Sequence, residues 1–356
     1  MSHSTPTPPS FLTRLRHELN DAVSWRTTAL VVGVLLLQMG FIVSYVGAFH
    51  APRPHDVSLG VVAGSRSAAM VSSLNSLPGH PLDARALSRA SEARREVLDG
   101  ALSGSLVIGP ARTDQLTVAS GGGVAVAESL TAVVARVESA AHRRVAVVDA
   151  VPLQRGDARG LTGFYLVVGW LVGGYLAASL LGVARGSRPA NEHRALIRLL
   201  ALALYAGVSG LGGAIVVGPV LGALTGHTLA LWGLGTLVVL AAATVTVALQ
   251  TLAGVVGIGL AVALFVVLGN PSAGGAYQSA VLPPFWRALS GALPNGAGVD
   301  AVRRLVYFGA RGASGDLAVL ALYAVAGAIV SLVGAGILTR RVTVAPADPD
   351  APRAPR

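Results

Sequence analysis

Long apolar stretches alternate with short polar segments along most of the chain, and one polar region is much longer than the others. The apolar stretches are 27–48, 161–183, 196–219, 227–248, 252–269 and 317–338. Each approaches or reaches the ~20 residues that a helix needs to cross a bilayer. The long polar region, 50–160, lies between the first two stretches. The pattern predicts an α-helical integral membrane protein with six transmembrane helices and one inserted domain.

The insert has the mixed periodicity of an α/β domain. Short Val-rich runs predict strands, and longer segments with apolar residues on one face predict helices. The predicted strands are 57–63, 105–108, 115–119 and 144–151, and the predicted helices are 65–77, 88–99 and 123–142. The chain has no cysteine, so the domain must be held by its own core rather than by disulfides.

The segments before and within the spans also carry local signals. In the leader, 1–26, Ser10 is a candidate N-cap, and apolar residues recur at helical spacing from Phe11 to Val23, which predicts an interfacial helix over 10–24. A solvated leader helix is the alternative. The first span, 27–49, is predicted to be an uncleaved anchor, although Val46-Gly47-Ala48 also resembles a cleavage site. A turn at Gln250-Thr251 is predicted to separate spans 4 and 5.

The segment 281–309, before the last span, contains two apolar-faced pieces that are too short to cross a bilayer. They carry Phe285, Trp286, Arg287, Arg303 and Arg304. We predict an outer helical hairpin that dips into the outer leaflet, turns at 294–296 and lets its arginines reach water. Asp300 and Arg304 have the i,i+4 spacing of an ion pair. A surface loop with incidental apolar residues is the alternative.

The charges concentrate at the ends of the spans. The chain is 53% hydrophobic and 12% charged, all 27 basic residues are Arg, and the formal net charge is +10. Arginines cluster in the leader, in the tail 339–356, and in the loop after the second span at Arg185, Arg188, Arg194 and Arg198. By the positive-inside rule, these three segments are cytoplasmic, and the insert (50–160) and the hairpin are extracytoplasmic. The Lys-free, Ala/Gly/Val-rich composition is typical of a GC-rich bacterial genome, so we expect a bacterial plasma-membrane protein with both termini cytoplasmic.

Several chemistries are excluded or disfavoured by residues that the chain lacks. A P-loop needs Lys, and no Lys is present. No span carries a carboxylate at its centre, which disfavours a proton-driven carrier. Neither a metal-ligand spacing nor a nucleophile elbow appears, so we predict no catalytic, metal or cofactor-binding residues. The chain has no basic stripe interleaved with aromatics, so we predict no nucleic-acid partner. Anionic membrane lipid accounts for the arginines.

Glycines carry two further expectations. Those that recur through the spans are predicted to let helices pack closely in lipid. Gly121-Gly122-Gly123 precedes a predicted helix in the insert. This triplet is compatible with an anion site at the helix start or with a flexible strand-to-helix turn.

Two stretches carry local motifs. They are Val148-Asp149-Ala150-Val151-Pro152-Leu153 with Gly160-Leu161-Thr162-Gly163-Phe164-Tyr165, and Leu282-Pro283-Pro284-Phe285-Trp286 with Leu293-Pro294-Asn295-Gly296 and Val302-Arg303-Arg304-Leu305-Val306-Tyr307-Phe308. With the order of the elements, they resemble the type-2 ATP-binding-cassette exporter permeases. The similarity is to the branch with a large extracytoplasmic insert, which includes the phage-infection-protein (Pip) group.

The resemblance implies the permease subunit of a homodimeric or heterodimeric exporter. A separate cytoplasmic nucleotide-binding ATPase subunit would press on the interfacial helix and on an ATPase-coupling segment, 185–198. The apolar, carboxylate-free spans favour a lipid-like or amphipathic cargo. The sequence leaves open a second class, a non-transporting envelope scaffold, receptor or secretion-assembly protein. A membrane enzyme lacks a candidate acid, base or metal cluster.

Overall fold

The computed structural model describes residues 25–343, without the side chains of Arg26 and of 338–343. The predicted interfacial helix of the leader lies outside this description, as do Arg353, Arg356 and the side chains of Arg340 and Arg341 in the tail. The helices are α1 (Trp25–Phe49), α2 (Ser67–Asn75), α3 (Ala90–Leu98), α4 (Val124–Ala140), α5 (Thr162–Arg185), α6 (Glu192–Ile215), α7 (Thr228–Ala253), α8 (Val256–Val262), α9 (Asn270–Ser272), α10 (Pro284–Ser290), α11 (Pro294–Tyr307) and α12 (Ser314–Thr343). The strands are β1 (Val57–Val62), β2 (Leu82–Ala86), β3 (Gly104–Val107), β4 (Thr113–Val118) and β5 (Arg144–Asp149).

Among residues 25–343, five helices are long and apolar enough to cross a membrane, which supports a multi-pass membrane protein. The membrane-compatible segments are Thr27–Phe49, Thr162–Arg185, Glu192–Val220, Thr228–Ala253 and Ser314–Ile337. The chain divides between Val43 and Ser44 into two compact units. The first unit contains most of α1, whose side chains are largely exposed. The contacts described below all lie in the second unit.

The fifth predicted span differs from the helix that the structure has there. The prediction of a turn at Gln250-Thr251 was wrong, because α7 continues to Ala253 and both residues are buried within it. The chain turns at Gly254, whose φ of 63° is left-handed and therefore favours glycine. The apolar helix that follows, Val256–Ser272, is shorter than the other five candidates. It consists of α8, a π-helical segment Ala263–Gly269, and α9.

α7 lies at the centre of the helices in the second unit. Three glycines approach its backbone so closely that a Cβ would lie 2.6 Å from Val239 O at Gly174, 2.9 Å from Trp232 O at Gly210, and 2.6 Å from Thr244 C at Gly327. These glycines belong to α5, α6 and α12. The expectation that span glycines serve packing is confirmed for these three, since only a hydrogen fits at each contact.

The insert is a mixed five-stranded sheet. The strand order is β2-β1-β3-β4-β5, in which only β3 and β4 pair antiparallel. The core includes Leu59, Leu106 and Leu116 from the strands and Leu130 and Val134 from α4. The predicted α/β class is confirmed, and four of the five strands were predicted. β2 was not, because Asp83 and Arg85 give its sequence little strand propensity.

One charged cluster is buried at the edge of this core. Arg143 donates from Nε and Nη2 to the two carboxylate oxygens of Asp114, each at 2.6 Å. The side chain of Glu138 is fully buried, and its nearer oxygen lies 3.7 Å from Arg143 Nε. Burial, and secondarily the neighbouring Asp114 carboxylate, raise the pKa of Glu138 to about 7. Burial opposes ionisation of Asp114, but its hydrogen bonds with Arg143 and Gly109 outweigh burial and hold its pKa below the ordinary value.

The glycine contact at α7 can be tested with two alanine substitutions in α5. Gly174→Ala should destabilise the protein by about 1–3 kcal/mol, because the new methyl group meets the rigid backbone of α7. Gly169→Ala is the matched control, since a Cβ there has no neighbour within 4 Å. Thermal unfolding of detergent-purified protein measures both. Equal stability of the two variants would contradict the close approach.

The buried Glu138 predicts a pH dependence of stability. The pKa of Glu138 is higher in the folded protein than the ordinary 4.5. The protonated side chain therefore contributes its full share of folding free energy below pH 4.5, and this contribution is lost as pH rises towards about 7. Glu138→Gln should be more stable than wild type at pH 8, by on the order of 2–3 kcal/mol, relative to their difference at pH 4.5. The exposed Glu128 on the same helix supplies the control, Glu128→Gln. The prediction would be refuted if the difference in unfolding free energy between wild type and Glu138→Gln stayed constant from pH 4.5 to 8.

Candidate functional site

The predicted coupling segment is a short loop and its two flanking helix ends. Arg185 is the last residue of α5, Arg188 lies in the loop, and Arg194 and Arg198 lie in the first two turns of α6. The first three are exposed, whereas Arg198 is 9% exposed. The four arginines therefore form one basic end of the second unit, and three of their side chains are exposed.

This loop is tied to three long helices by hydrogen bonds. Arg198 Nη2 donates to Gly186 O at 2.8 Å, which holds α6 against the end of α5. Arg188 Nη2 donates to Leu252 O at 3.2 Å, near the end of α7. The Asn191 side chain caps α6 by accepting from the Arg194 amide at 2.9 Å. A displacement of the loop would therefore act on α5, α6 and α7 together.

The segment predicted to form an outer hairpin contains the two helices α10 and α11. Pro294, Asn295 and Gly296 form the first turn of α11 rather than the predicted turn between the helices, because Pro is favoured at the first helical position. In α10, Trp286 is buried against Ala48 and Leu282, whereas the neighbouring Phe285 is exposed. The apolar side of α11 packs into the same core as α5 and α7, so the protein itself covers this face.

The hairpin arginines do not all reach water, contrary to the prediction. Arg303 is only 7% exposed; it donates to the Gly274 carbonyl and lies 3.1 Å from Asp300 Oδ1. Asp300 therefore pairs with Arg303. The pair with Arg304 that the i,i+4 spacing indicated is not formed. Arg304 instead lies 3.4 Å from Asp316 at the start of α12. Both arginines stabilise turns next to the hairpin.

Arg287 of the hairpin contacts the insert. Its Nη1 lies 2.9 Å from Asp56 Oδ2, just before β1. The segment that enters the insert before β1 is also held at the backbone, where the His55 amide donates to Ala280 O at 2.8 Å. Beyond α11, Arg311 pairs with Asp99 of the insert at 3.2 Å. The hairpin and the insert are therefore joined at several separate points.

One buried junction between the insert and the helices was not predicted. Asp157 is 3% exposed and lies in the segment that leads from β5 to α5. Its Oδ1 accepts from the Thr162 amide at 2.9 Å, and its Oδ2 accepts from the Tyr307 hydroxyl at 2.8 Å. Burial, and secondarily the bond to Asp157, raise the pKa of Tyr307 above its ordinary value, so this hydroxyl stays a donor. No local pattern could reveal the pair, because 150 residues separate its members.

The glycine triplet of the insert receives side chains from this junction. A Cβ at Gly121 would lie 2.7 Å from the ring of Tyr307, and one at Gly122 would lie 3.2 Å from Phe308. A Cβ at Gly123 would collide with Gln278. Phe308 also completes a small core of the insert with Val97, Leu102 and Val151. Packing against neighbouring side chains explains the glycines better than an anion site does.

Among residues 25–343, no group of three or more His, Asp or Glu side chains is arranged to hold a metal ion. The contacts described above instead connect structural elements: they join helix ends, the hairpin and the insert. No family model, curated protein or solved structure was found to match this chain. Its function is therefore inferred from its own residues and contacts.

The Asp157–Tyr307 bond can be tested by removing one hydroxyl. Tyr307→Phe keeps the ring but leaves a buried carboxylate oxygen without this donor, which should cost about 1–3 kcal/mol of stability. Tyr165→Phe is the matched control, since Tyr165 is exposed on α5. Thermal unfolding in detergent compares the two variants. A Tyr307→Phe protein as stable as Tyr165→Phe would show that the bond contributes nothing.

Proposed function

We propose that this chain is the membrane-spanning permease subunit of a type-2 ATP-binding-cassette exporter, which uses ATP hydrolysed by a separate subunit. The observation that carries the proposal is the arginine loop between α5 and α6. It exposes Arg185, Arg188 and Arg194, and hydrogen bonds from Arg188 and Arg198 connect it to three long helices. A partner that binds the exposed arginines would therefore move these helices as a group.

The proposed topology has six crossings. The helix Val256–Ser272 serves as the fifth, although its 17 residues extend only about 25 Å. That length is slightly below the ~30 Å hydrocarbon thickness of a typical bilayer. Its π-helical segment lies beside buried α11, which can cover backbone groups that lipid could not satisfy. Both termini and the arginine loop then lie in the cytoplasm of a bacterial cell, and the insert lies outside.

The cargo that fits best is lipid-like or amphipathic. Between Leu161 and Val299, Glu192 is the only acidic residue, so these spans offer no carboxylate relay for protons or metal ions. Large apolar side chains remain exposed on α5, α6 and α12 of the single chain. In the proposed dimer, some of these faces would meet a second permease subunit, and others would meet lipid.

Movement at the loop would extend to the insert through α5. Thr162, at the start of α5, and Tyr307, at the end of α11, share the Asp157 carboxylate. Because this carboxylate is buried, its two bonds are protected from competition with water. A shift of α5 would therefore displace the insert and the hairpin together. This coupling supports a transporter whose external domain changes position during the cycle.

The proposal predicts the effect of removing two exposed charges. Arg188→Ala with Arg194→Ala should weaken binding of the nucleotide-binding subunit about tenfold, since each exposed pair contributes up to about 1 kcal/mol. ATP hydrolysis should also lose its stimulation by cargo. Arg94→Ala with Arg95→Ala, which removes two exposed charges from the insert, is the control. Co-purification from native membranes and ATPase assays in vesicles measure both effects.

Two results would contradict the proposal. Unchanged coupling in the Arg188/Arg194 variant would show that the loop does not transmit ATP-driven movement. A complex from native membranes that contains other envelope proteins but no nucleotide-binding subunit would favour the alternative, a non-transporting scaffold or receptor. The anchored junction between the insert and the hairpin is compatible with that alternative, because a rigid external domain can also serve as a binding platform.

A further inference from the structure

A groove lies beside the arginine loop, between the end of α5 and the start of α6. Its volume is about 480 Å³. The lining residues are Leu181, Arg185, Pro189, Ala190, Arg194, Ile197, Arg198 and Ala201. Three of the four arginines of the loop region therefore converge on one groove. Arg188 is absent from the lining and binds near the end of α7 instead.

The charge in this groove is positive and uncompensated among the described residues. Its lining contains three guanidinium groups and no carboxylate. None of the three forms an ion pair with a carboxylate in the part of the chain that the structure describes. The nearest acid in sequence, Glu192, directs its carboxylate against Gly336 of α12 and lines a different pocket.

The charge of Arg198 is buried and has no counter-ion among the described residues. The side chain is buried, and the partners of its two terminal nitrogens are the carbonyls of Gly186 and Ser187. Carbonyl oxygens satisfy hydrogen bonds but do not neutralise a charge, and a buried charge without a counter-ion is unfavourable. An anion placed between Arg198 and the exposed Arg185 and Arg194 would supply that counter-charge.

The surface next to the groove is apolar and exposed. Ile197, in the lining, is 65% exposed, and on the same helix Leu200 is 61% and Leu204 is 73% exposed. On α5, Leu180 and Val183 are also exposed. Both helices are long and apolar enough to cross a membrane. The cationic groove therefore lies at the end of an apolar surface with the composition of a lipid-facing one.

We propose that this groove binds an anionic phospholipid from the leaflet at this end of the helices. Its phosphate lies between Arg185, Arg194 and Arg198, and its acyl chains follow the exposed apolar side chains of α6. Basic pockets between membrane helices are suited to such headgroups. A soluble anion or an acidic protein segment would use the arginines but would have no need of the apolar surface. This binding requires only that α5 and α6 lie in a membrane, so it does not depend on the proposed transport function.

The test is a lipid-binding measurement on the full-length protein. Purified protein is delipidated in neutral detergent and titrated with phosphatidylglycerol, with phosphatidylcholine as the uncharged-headgroup control, and bound lipid is counted by native mass spectrometry. Arg185→Gln with Arg194→Gln should weaken phosphatidylglycerol binding about thirtyfold, which converts to about 2 kcal/mol. Both positions are exposed, so folding should be preserved, and thermal unfolding verifies it.

The control variant is Arg94→Gln with Arg95→Gln, which removes the same charge from exposed positions in the insert and should bind phosphatidylglycerol like wild type. Excess inorganic phosphate should not displace the lipid. Equal binding of phosphatidylcholine, equal loss in the control variant, or displacement by phosphate would each overturn the proposal. Undiminished lipid binding by the Arg185/Arg194 variant, with loss of a co-purifying protein, would assign the groove to a protein partner instead.

Discussion

Polar groups at the ends of apolar helices need partners within the protein, and much of this structure depends on how that need is met. The last carbonyls and first amides of a helix have no partner in the helix itself. Beside a membrane, water cannot always replace them. Here Arg198 binds the carbonyl that follows α5, and Asp157 accepts from an amide in the first turn of α5. The bonds that satisfy these helix ends also connect neighbouring elements.

The π-helical segment after α8 shows the same constraint inside the bundle. A π segment departs from the regular i→i−4 pattern and so disturbs the local hydrogen bonding of the helix. Asn295, at the start of α11, donates from Nδ2 to Phe265 O and to Asn270 Oδ1, each at 2.9 Å. Gly269 leaves room for this side chain, because a Cβ there would collide with it. The irregular helix and the hairpin therefore stabilise each other.

The sequence predicted the elements whose signals are local. Val-rich runs located β1, β3, β4 and β5, and hydropathy located five long helices. β2 was missed because its pairing with β1, rather than its own residues, makes it a strand. The turn after α7 was misplaced because Gln250 is polar, yet its side chain is buried and packs against Gly182 of α5. Burial of that kind depends on the neighbouring helix and leaves no local signal.

The same distinction applies to the candidate site. Four arginines within fourteen positions are visible as a basic segment, but the sequence does not show that Arg188 turns towards α7 while the other three share a groove. The Asp157–Tyr307 pair was hidden for the same reason. Its members are 150 residues apart in the sequence, and only the folded arrangement of α5 and α11 brings them together.

α5 is the element on which these contacts converge. At its start, the Asp157 carboxylate connects it to Tyr307; near its middle, Gly174 touches the backbone of α7; and past its end, Gly186 binds Arg198 of α6. A helix held at both ends and at its centre cannot shift without moving its neighbours. In the proposed permease, a force on the arginine loop would therefore act on the insert through α5. In that permease this connection would carry ATP-driven movement to the insert, whereas in a scaffold the same connection would hold the insert rigid.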